Sequence, residues 1–554
     1  MMRVTKRLLA LCAVICLSVS SLAFAYQPEE ALIPRPEKSV YSVLRLDNLG
    51  NFLRYLGSEK NVKLFAPLAG MGEDEAAIIT MSLAAVPAES TALVFGVDEH
   101  EAPFVQLVVK MPESLQDKLD LVAKGEAKAE DVAALLLGEK SPVAPMGAIV
   151  LEVKKTDDGL LNISDALNVS AKGDLLIAAL SAEDVKAALK ALDDEDARLK
   201  IERMFSAKDF MLTHVDADVL EKITPAEEAG VSKEELAEAK KVLDGPFKTE
   251  TAFESLTDRF RISFGADMTA LNDKFENPKA KAVEGGYINL MGDRTPLLAL
   301  GSVLYGESIK NYPGFKDTWA QAVDALKNFN ISEESFINFL TGPVALTIGN
   351  SLVSLEGMKV PAVFITKEGQ KGAAKEFAAA IAKQSDKLLI PVEAAGWDSL
   401  TQLDSNTSPV SALLGVKGEM LYAGIADKAS LSEKPKLSGQ LAEIMAKDSL
   451  GSFFMDFKGL QDYLKDNNAN AMAMIETFAP MVLNDKGEAV MAAVMDVLNA
   501  KLSVPSVGLY APSYGTCVMD FMTEEVENVE DTLSAKLIKL YNVINALEVK
   551  DEAK

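Results

Sequence analysis

The chain holds only two histidines, His100 and His214, and three cysteines among its 554 residues, so metal and nucleophilic chemistry have few places to reside. His100 stands in "VDEHEA", where Asp98, Glu99 and Glu101 crowd one imidazole. A zinc site needs ligands that converge on one point, whereas consecutive residues of a strand-connecting loop point in different directions. The segment therefore reads as a charged loop. His214 lies in the apolar run "FMLTHVDADVL", where an imidazole is expected as a core or edge group rather than a general base. Cys517 alternates with Met519 and Phe521 in "TCVMDF", which predicts one buried apolar face and an inert thiol.

Other signatures are missing. No Gly-x-Ser-x-Gly elbow places a serine, and no Gly-x-Gly-x-x-Gly or phosphate-loop spacing occurs; "GQKGAAKEF" has glycine and lysine without the cradle. "DDEDARLK", 193–200, lacks the alternating ligands and central glycine of a calcium loop. With 82 Asp and Glu residues, no carboxylate pair can be singled out, and the aromatic platforms a sugar cleft wants are limited to Trp319 and Trp397, both expected as core or loop anchors. No catalytic residue, cofactor-binding residue, cofactor or metal ligand is assigned. One cluster suggests binding: Met472, Met474, Met481, Met491 and Met495 fall on two helical stretches joined near Asn484 to Gly487. Methionine is flexible and polarizable, so Met474, Met481, Met491 and Met495 could line an adaptable apolar groove, or simply a helix-pair core.

The elements that would position these residues begin after an export signal. Arg3, Lys6 and Arg7 precede an apolar run that closes on Ala23-Phe24-Ala25, the pattern of a secretory signal peptide, 1–25, cleaved after Ala25. Neither Cys12 nor Cys16 follows a small residue, so no lipid anchor is expected, and no later stretch is long and apolar enough to span a bilayer. Cleavage leaves Cys517 alone, which forbids an intramolecular disulfide. The formal charge of −26 becomes about −29 without the three basic signal residues. Such acidity disfavours nucleic acid and anionic membrane surfaces and suits a soluble exported monomer, periplasmic or extracellular.

About 530 mature residues exceed one core, so two domains are expected. An extended tail, 26–38, carries prolines at 28, 34 and 36. The first domain, 39–276, reads as a strand entering a helix at "SVYSVLRLDNLGNFLRYL", strands at "TALVFGV" and "PFVQLVVK", a hairpin at Asp158-Gly159, and a hairpin at Lys172-Gly173 followed by a helix capped by Ser181. It continues with a strand-to-helix at "DFMLTHVDADVLEKI", helix starts at Thr224 and Ser232, and a closing strand pair. The second domain, 285–546, repeats the order: "VALTIGNSL" and "PAVFITK" pair, "VKGEMLYAGI" is the Lys-Gly hairpin, "GSFFMDFKGLQDYL" is a strand entering a helix, and "SVGLYAPSYGTCVMDFM" closes. Lys172-Gly173 recurs as Lys417-Gly418, about 245 residues on, and Lys110 as Lys367, about 257 on. This predicts an α+β fold of two similar tandem domains, each an antiparallel sheet with flanking helices, related by internal duplication.

The runs "VPAESTALVFGV", "VLRLDNL", "LTGPVAL" and "FFMDFKGL" resemble a group of long exported bacterial proteins known only as domains of unknown function. That resemblance implies an extracytoplasmic α+β protein and supplies no catalytic residue. The expected function is an exported, noncatalytic cell-envelope or secreted protein that binds an apolar or peptide-like ligand or another envelope protein. The alternatives are a hydrolase with a dispersed carboxylate-based site, since glycosidases and acid proteases need neither histidine nor a nucleophile motif, and a purely structural envelope protein.

Overall fold

The computed structural model describes residues 38–47, 90–110, 121, 126, 153–157, 159–163, 167–194, 196, 202–223, 246–267, 295–311, 316–355, 358–385, 388–403, 412–425, 439–466, 487–526 and 529–551. The helix starts expected at Thr224 and Ser232 and the helix after "VLRLDNL" lie outside them. The chain divides into two compact units. The first comprises 1–254 and 264–271, the second 255–263 and 272–554.

In the first unit the strands are β1 (Ser39–Leu46), β2 (Thr91–Asp98), β3 (Pro103–Lys110), β4 (Val153–Lys155), β5 (Leu161–Ile163), β6 (Leu167–Lys172), β7 (Leu175–Ala179), β8 (Asp209–Val215) and β9 (Phe247–Ser255). The next strand, β10 (Arg259–Ala266), is divided between the units. All pairings are antiparallel, in the order β9-β8-β1-β2-β3-β7-β6-β5-β4, with β10 beside β9. Two helices follow strands directly: α1 (Ala182–Asp193) after β7 and α2 (Ala217–Ile223) after β8. Ser181 caps α1, its side chain accepting the Asp184 N–H at 3.0 Å. Asp216 does the same for α2, accepting from Asp218 and Val219. Val185, Ala188 and Leu192 of α1 pack onto Val43, Val94, Val108, Leu175 and Ile177, which places the core on one face of the sheet.

The second unit has β11 (Leu298–Leu304), α3 (Gly306–Asn311), α4 (Lys316–Lys327), α5 (Glu333–Leu340), β12 (Gly342–Leu355), β13 (Met358–Glu368) and α6 (Ala373–Gln384). It continues with β14 (Leu389–Pro391), β15 (Ser399–Leu403), β16 (Ala412–Lys417), β17 (Met420–Ile425), α7 (Gly439–Met445), β18 (Gly451–Asp456) and α8 (Phe457–Asp466). Last come α9 (Gly487–Leu498), β19 (Ser506–Ser513), β20 (Thr516–Met522) and α10 (Leu533–Asp551). Its antiparallel order is β20-β19-β18-β11-β12-β13-β17-β16-β15-β14. Adding ten to each strand of the first order gives the second.

The two Lys-Gly hairpins match in detail. Gly173 and Gly418 turn with φ of 60° and 62°, a left-handed conformation in which a Cβ is penalised, and each joins strands paired up to the lysine. The register corrects one equivalence. Lys110 faces Leu175 and Glu368 faces Met420, at the same offset from each turn, so the counterpart of Lys110 is Glu368 and that of Lys367 is Val109. A one-residue slip matters because successive strand residues face opposite ways.

Core placement in the second unit follows the same alternation. Ala299, Ala345 and Phe454 project to the face on which α7 lies, against Leu441, Ile444 and Met445. Contact is close: a Cβ on Gly508 would meet Ile444 Cδ1 at 1.7 Å, so glycine in β19 lets the helix approach. No helix among the described residues is long and apolar enough to cross a membrane.

Candidate functional site

Two features of the second unit present themselves to a ligand. The first is the sheet face opposite α7. Reading the register across it, Met519, Leu509, Phe453, Leu300, Leu346, Ile365 and Ala423 form one row over seven strands. Two residues along, Phe521, Val507, Met455, Leu298, Ile348, Val363 and Ile425 form a second. All fourteen side chains are apolar and none is fully buried, although Ala423, at the end of the first row, packs against Ala374 and Ala378 of α6. Leu300, Ile365 and Ile425 are 37%, 49% and 41% exposed. Their neighbours of opposite parity, such as Ala299, Ala345, Phe364, Phe454 and Val518, are buried.

The corresponding row of the first unit has a different chemistry. Thr213 and Phe453 each stand three residues before a helix-capping aspartate, Asp216 and Asp456. Across the sheet, Thr249, Thr213 and Ser42 then occupy the places of Leu509, Phe453 and Leu300. Ser42 and Thr213 join their hydroxyls at 2.9 Å. Where one unit carries a trio of hydroxyls, the other carries three large apolar groups.

The second feature is a cleft of about 320 Å³ between α7 and the adjoining ends of β18, β19 and β20. Leu441, Phe454, Pro505 and Met522 supply apolar walls; Asp258, Gln440, Asp456, Lys458, Ser506, Thr523 and Glu524 supply polar ones. Asp456 caps α8, its Oδ1 accepting the Gly459 N–H at 2.8 Å. Burial pushes its carboxyl above the ordinary range, against the Gly459 N–H, which pulls the other way. Asp258 is engaged differently. Arg259 donates to both of its oxygens, at 3.0 and 2.8 Å, and these hydrogen bonds hold its carboxyl below the usual value. Arg259 also reaches Glu443 and the buried Asp520, which Arg261 grips with two bonds of 2.7 and 3.0 Å.

The residues singled out in the sequence fall as follows. His100 is exposed in the β2–β3 turn, where Asp98 Oδ1 accepts the backbone N–H groups of His100 and Ala102, a turn-forming role. His214 is buried and stacked on Tyr41, centroids 4.8 Å apart, in the place that Phe454 fills in the second unit. Cys517 does share a face with Met519 and Phe521, but that face is the open one; Val518 and Asp520 are the buried members of β20, because Arg259 and Arg261 compensate Asp520. Partial burial raises the Cys517 thiol. Trp397 is half-buried edge-on to Tyr422 and against Gly415, and Trp319 is buried, donating Nε1 to Glu333 at 3.0 Å.

Met474 and Met481 lie outside the described residues, as does the side chain of Met491 on α9. Met495 is half-buried on α9, which packs against α10 and is tied to it by Lys539–Asp496 at 2.6 Å. Among the described residues no group of three or more His, Cys, Asp or Glu is placed to hold a metal ion. Sequence reasoning missed the open face because each of its strands contributes only every second residue. The signal was there in the alternation of "LALGSVL", "GSFFMD" and "SVGLYA", legible only once their partners are known. No protein-family model, curated protein or solved structure matches this chain.

Proposed function

We propose that this chain is an exported, noncatalytic protein whose second unit binds the apolar side of an amphipathic polypeptide segment, a peptide-like ligand or a stretch of another envelope protein. The observation that carries this reading is the face of two apolar rows in which Leu300, Ile365 and Ile425 are exposed and the others, apart from Ala423 under α6, are partly so. Contiguous exposed apolar surface of that kind marks interaction sites in soluble proteins. The rows lie roughly 7 Å apart, two strand residues, a width that suits the apolar stripe of one segment while its polar side stays in water. None of the fourteen side chains carries a charge or a hydroxyl that would read a polar headgroup.

The two units are proposed to descend from one duplicated ancestor, supported by the common ten-strand order and the matched Lys-Gly turns. On that reading the face diverged after duplication: the first unit kept hydroxyls that bond within the sheet, and the second acquired apolar groups. A carboxylate-based hydrolase finds less support. The cleft's Asp258 is held by Arg259, Glu524 pairs with Lys458 at 3.7 Å, and Asp456 caps a helix.

The test uses the full mature chain purified from its own compartment. Native mass spectrometry is expected to show a copurified polypeptide, and a neutral environment-sensitive dye is expected to bind the apo protein on this face. The double variant Leu300→Asp with Ile365→Asp should abolish both while leaving the melting temperature within a few degrees, because both side chains already touch water. A copurified lipid in place of polypeptide, or unchanged dye binding in the variant, would overturn the proposal.

A further inference from the structure

We infer that the segment held by the open face of the second unit is an amphipathic α-helix of about 16 residues, laid along the two apolar rows in the layer that α6 begins. This rests on the binding proposed above and adds the partner's conformation, length and place. A segment can meet a sheet as a strand added to a free edge or as a helix set on an apolar surface. The first way is closed here. The strands β19, β18, β11, β12, β13 and β17 are each paired on both edges, so an extended segment lying over them would gain no main-chain hydrogen bonds from the sheet. The apolar side chains of the two rows would supply none either, and an extended backbone pressed against them leaves N–H and C=O groups short of partners. A helix satisfies its own.

The layer that such a helix would join already exists. Ala374 and Ala378 of α6 lie against Leu414, Val416, Leu421 and Ala423 of β16 and β17, and Phe339 of α5 stacks on Phe377 of α6 with centroids 4.0 Å apart. Because Ala423 is paired with Ile365 and with Leu414, α6 covers the continuation of the open face and not its reverse. On the reverse the chain uses the same device, with Leu441, Ile444 and Met445 of α7 set on Ala299, Ala345 and Phe454. From β20 to β13 the rows cross five strand intervals of about 4.8 Å, or about 24 Å, which a helix spans in about 16 residues. Rows roughly 7 Å apart meet the apolar stripe formed by residues i, i+3, i+4 and i+7. The same dimensions argue against a second copy as occupant: a strip of about 24 by 12 Å covers about 300 Å², well under the roughly 800 Å² per partner of a stable dimer.

The probes are synthetic peptides of about 18 residues built from leucine, alanine, lysine and glutamate with no net charge, so that attraction to an acidic chain does not drive binding. One carries leucine at helical spacing, one is its isomer with leucine at every second position, and one is the helical peptide with a central proline. Fluorescence anisotropy with the full mature chain is expected to show saturable binding of the helical peptide, and circular dichroism a gain of helix on mixing. The alternating isomer and the proline variant should bind at least about tenfold more weakly, the latter because proline breaks the helix. Leu300→Asp with Ile365→Asp should weaken binding of the helical peptide by at least about tenfold, since both side chains lie in its path. Equal binding of the alternating isomer, indifference to the proline, or dye binding at the face without any peptide binding would overturn this inference and leave the face a binding site. Loss of dye binding together with peptide binding would instead remove the reading it rests on. A dimer of the apo protein in sedimentation that the double variant dissociates would mean that a second copy closes the face, and would also overturn the helix.

Discussion

At the scale of single residues, charge burial is where this chain departs most from its own sequence pattern. Lys367 sits in an alternating strand where its counterpart is Val109, and it is only 4% exposed. Its ammonium donates to the carbonyls of Gly342 and Glu368 and lies 5.9 Å above the Phe339 ring. Desolvation lowers its pKa from 10.5 to about 8. Between those values the unfolded chain holds more protons than the folded one, so stability rises with pH across that window and the burial cost is felt fully below it. Wild type should therefore gain as much as about 3 kcal/mol between pH 8 and 10.5 that Lys367→Met does not gain, at roughly 1.4 kcal/mol per pH unit. Urea melts of both proteins at three pH values would show it; parallel pH dependences would refute the assignment. None of this is legible in "PAVFITKE", because the groups that enclose Lys367 come from α5 and from the start of β12. His214, by contrast, was readable as a core histidine, since its apolar neighbours are local.

Elements were legible where their signals are local. The Lys-Gly turns, the Ser181 cap and the strand-to-helix junctions at Asp216 and Asp456 each depend on a few adjacent residues, and these stand in the fold as their sequences imply. A Cβ at Gly418 would meet nothing within 4 Å, so the cost of Gly418→Ala is conformational alone. It should be about 1 kcal/mol, with Gly418→Asn costing less because asparagine tolerates the left-handed region. Ser181→Ala should cost about 1 kcal/mol through the lost bond to the Asp184 N–H. Chemical denaturation of the three variants measures both, and a neutral Gly418→Ala would mean the turn relaxes to another type. What the sequence left hidden at this scale was pairing. The strands β3 and β7 are neighbours although 64 residues separate their ends, and only that pairing reveals the register and which face of each strand is open.

For the whole molecule, the partition of the chain is not a single cut. The sequence boundary, between the domains expected at 39–276 and 285–546, is one cut, yet Ser255–Ser263 belongs with the second unit while Phe264–Leu271 returns to the first. The reason is electrostatic as well as steric. Asp520 is 3% exposed, and the side chains that neutralise it, Arg259 and Arg261, both lie in that short segment; the Asp258 carbonyl also accepts the Thr523 N–H at 2.9 Å. Removing one partner of a buried ion pair costs about 3–5 kcal/mol, because the remaining charge stays desolvated. A fragment of residues 272–554 should therefore be markedly less stable than one of residues 255–554, and Asp520→Asn should recover part of the loss in the shorter fragment while destabilising the longer. Thermal melts of the four proteins by circular dichroism decide it. Equal melting of the two fragments would mean that Asp520 finds solvent or another partner when the arginines are gone, and that a boundary read from composition alone describes the unit well enough.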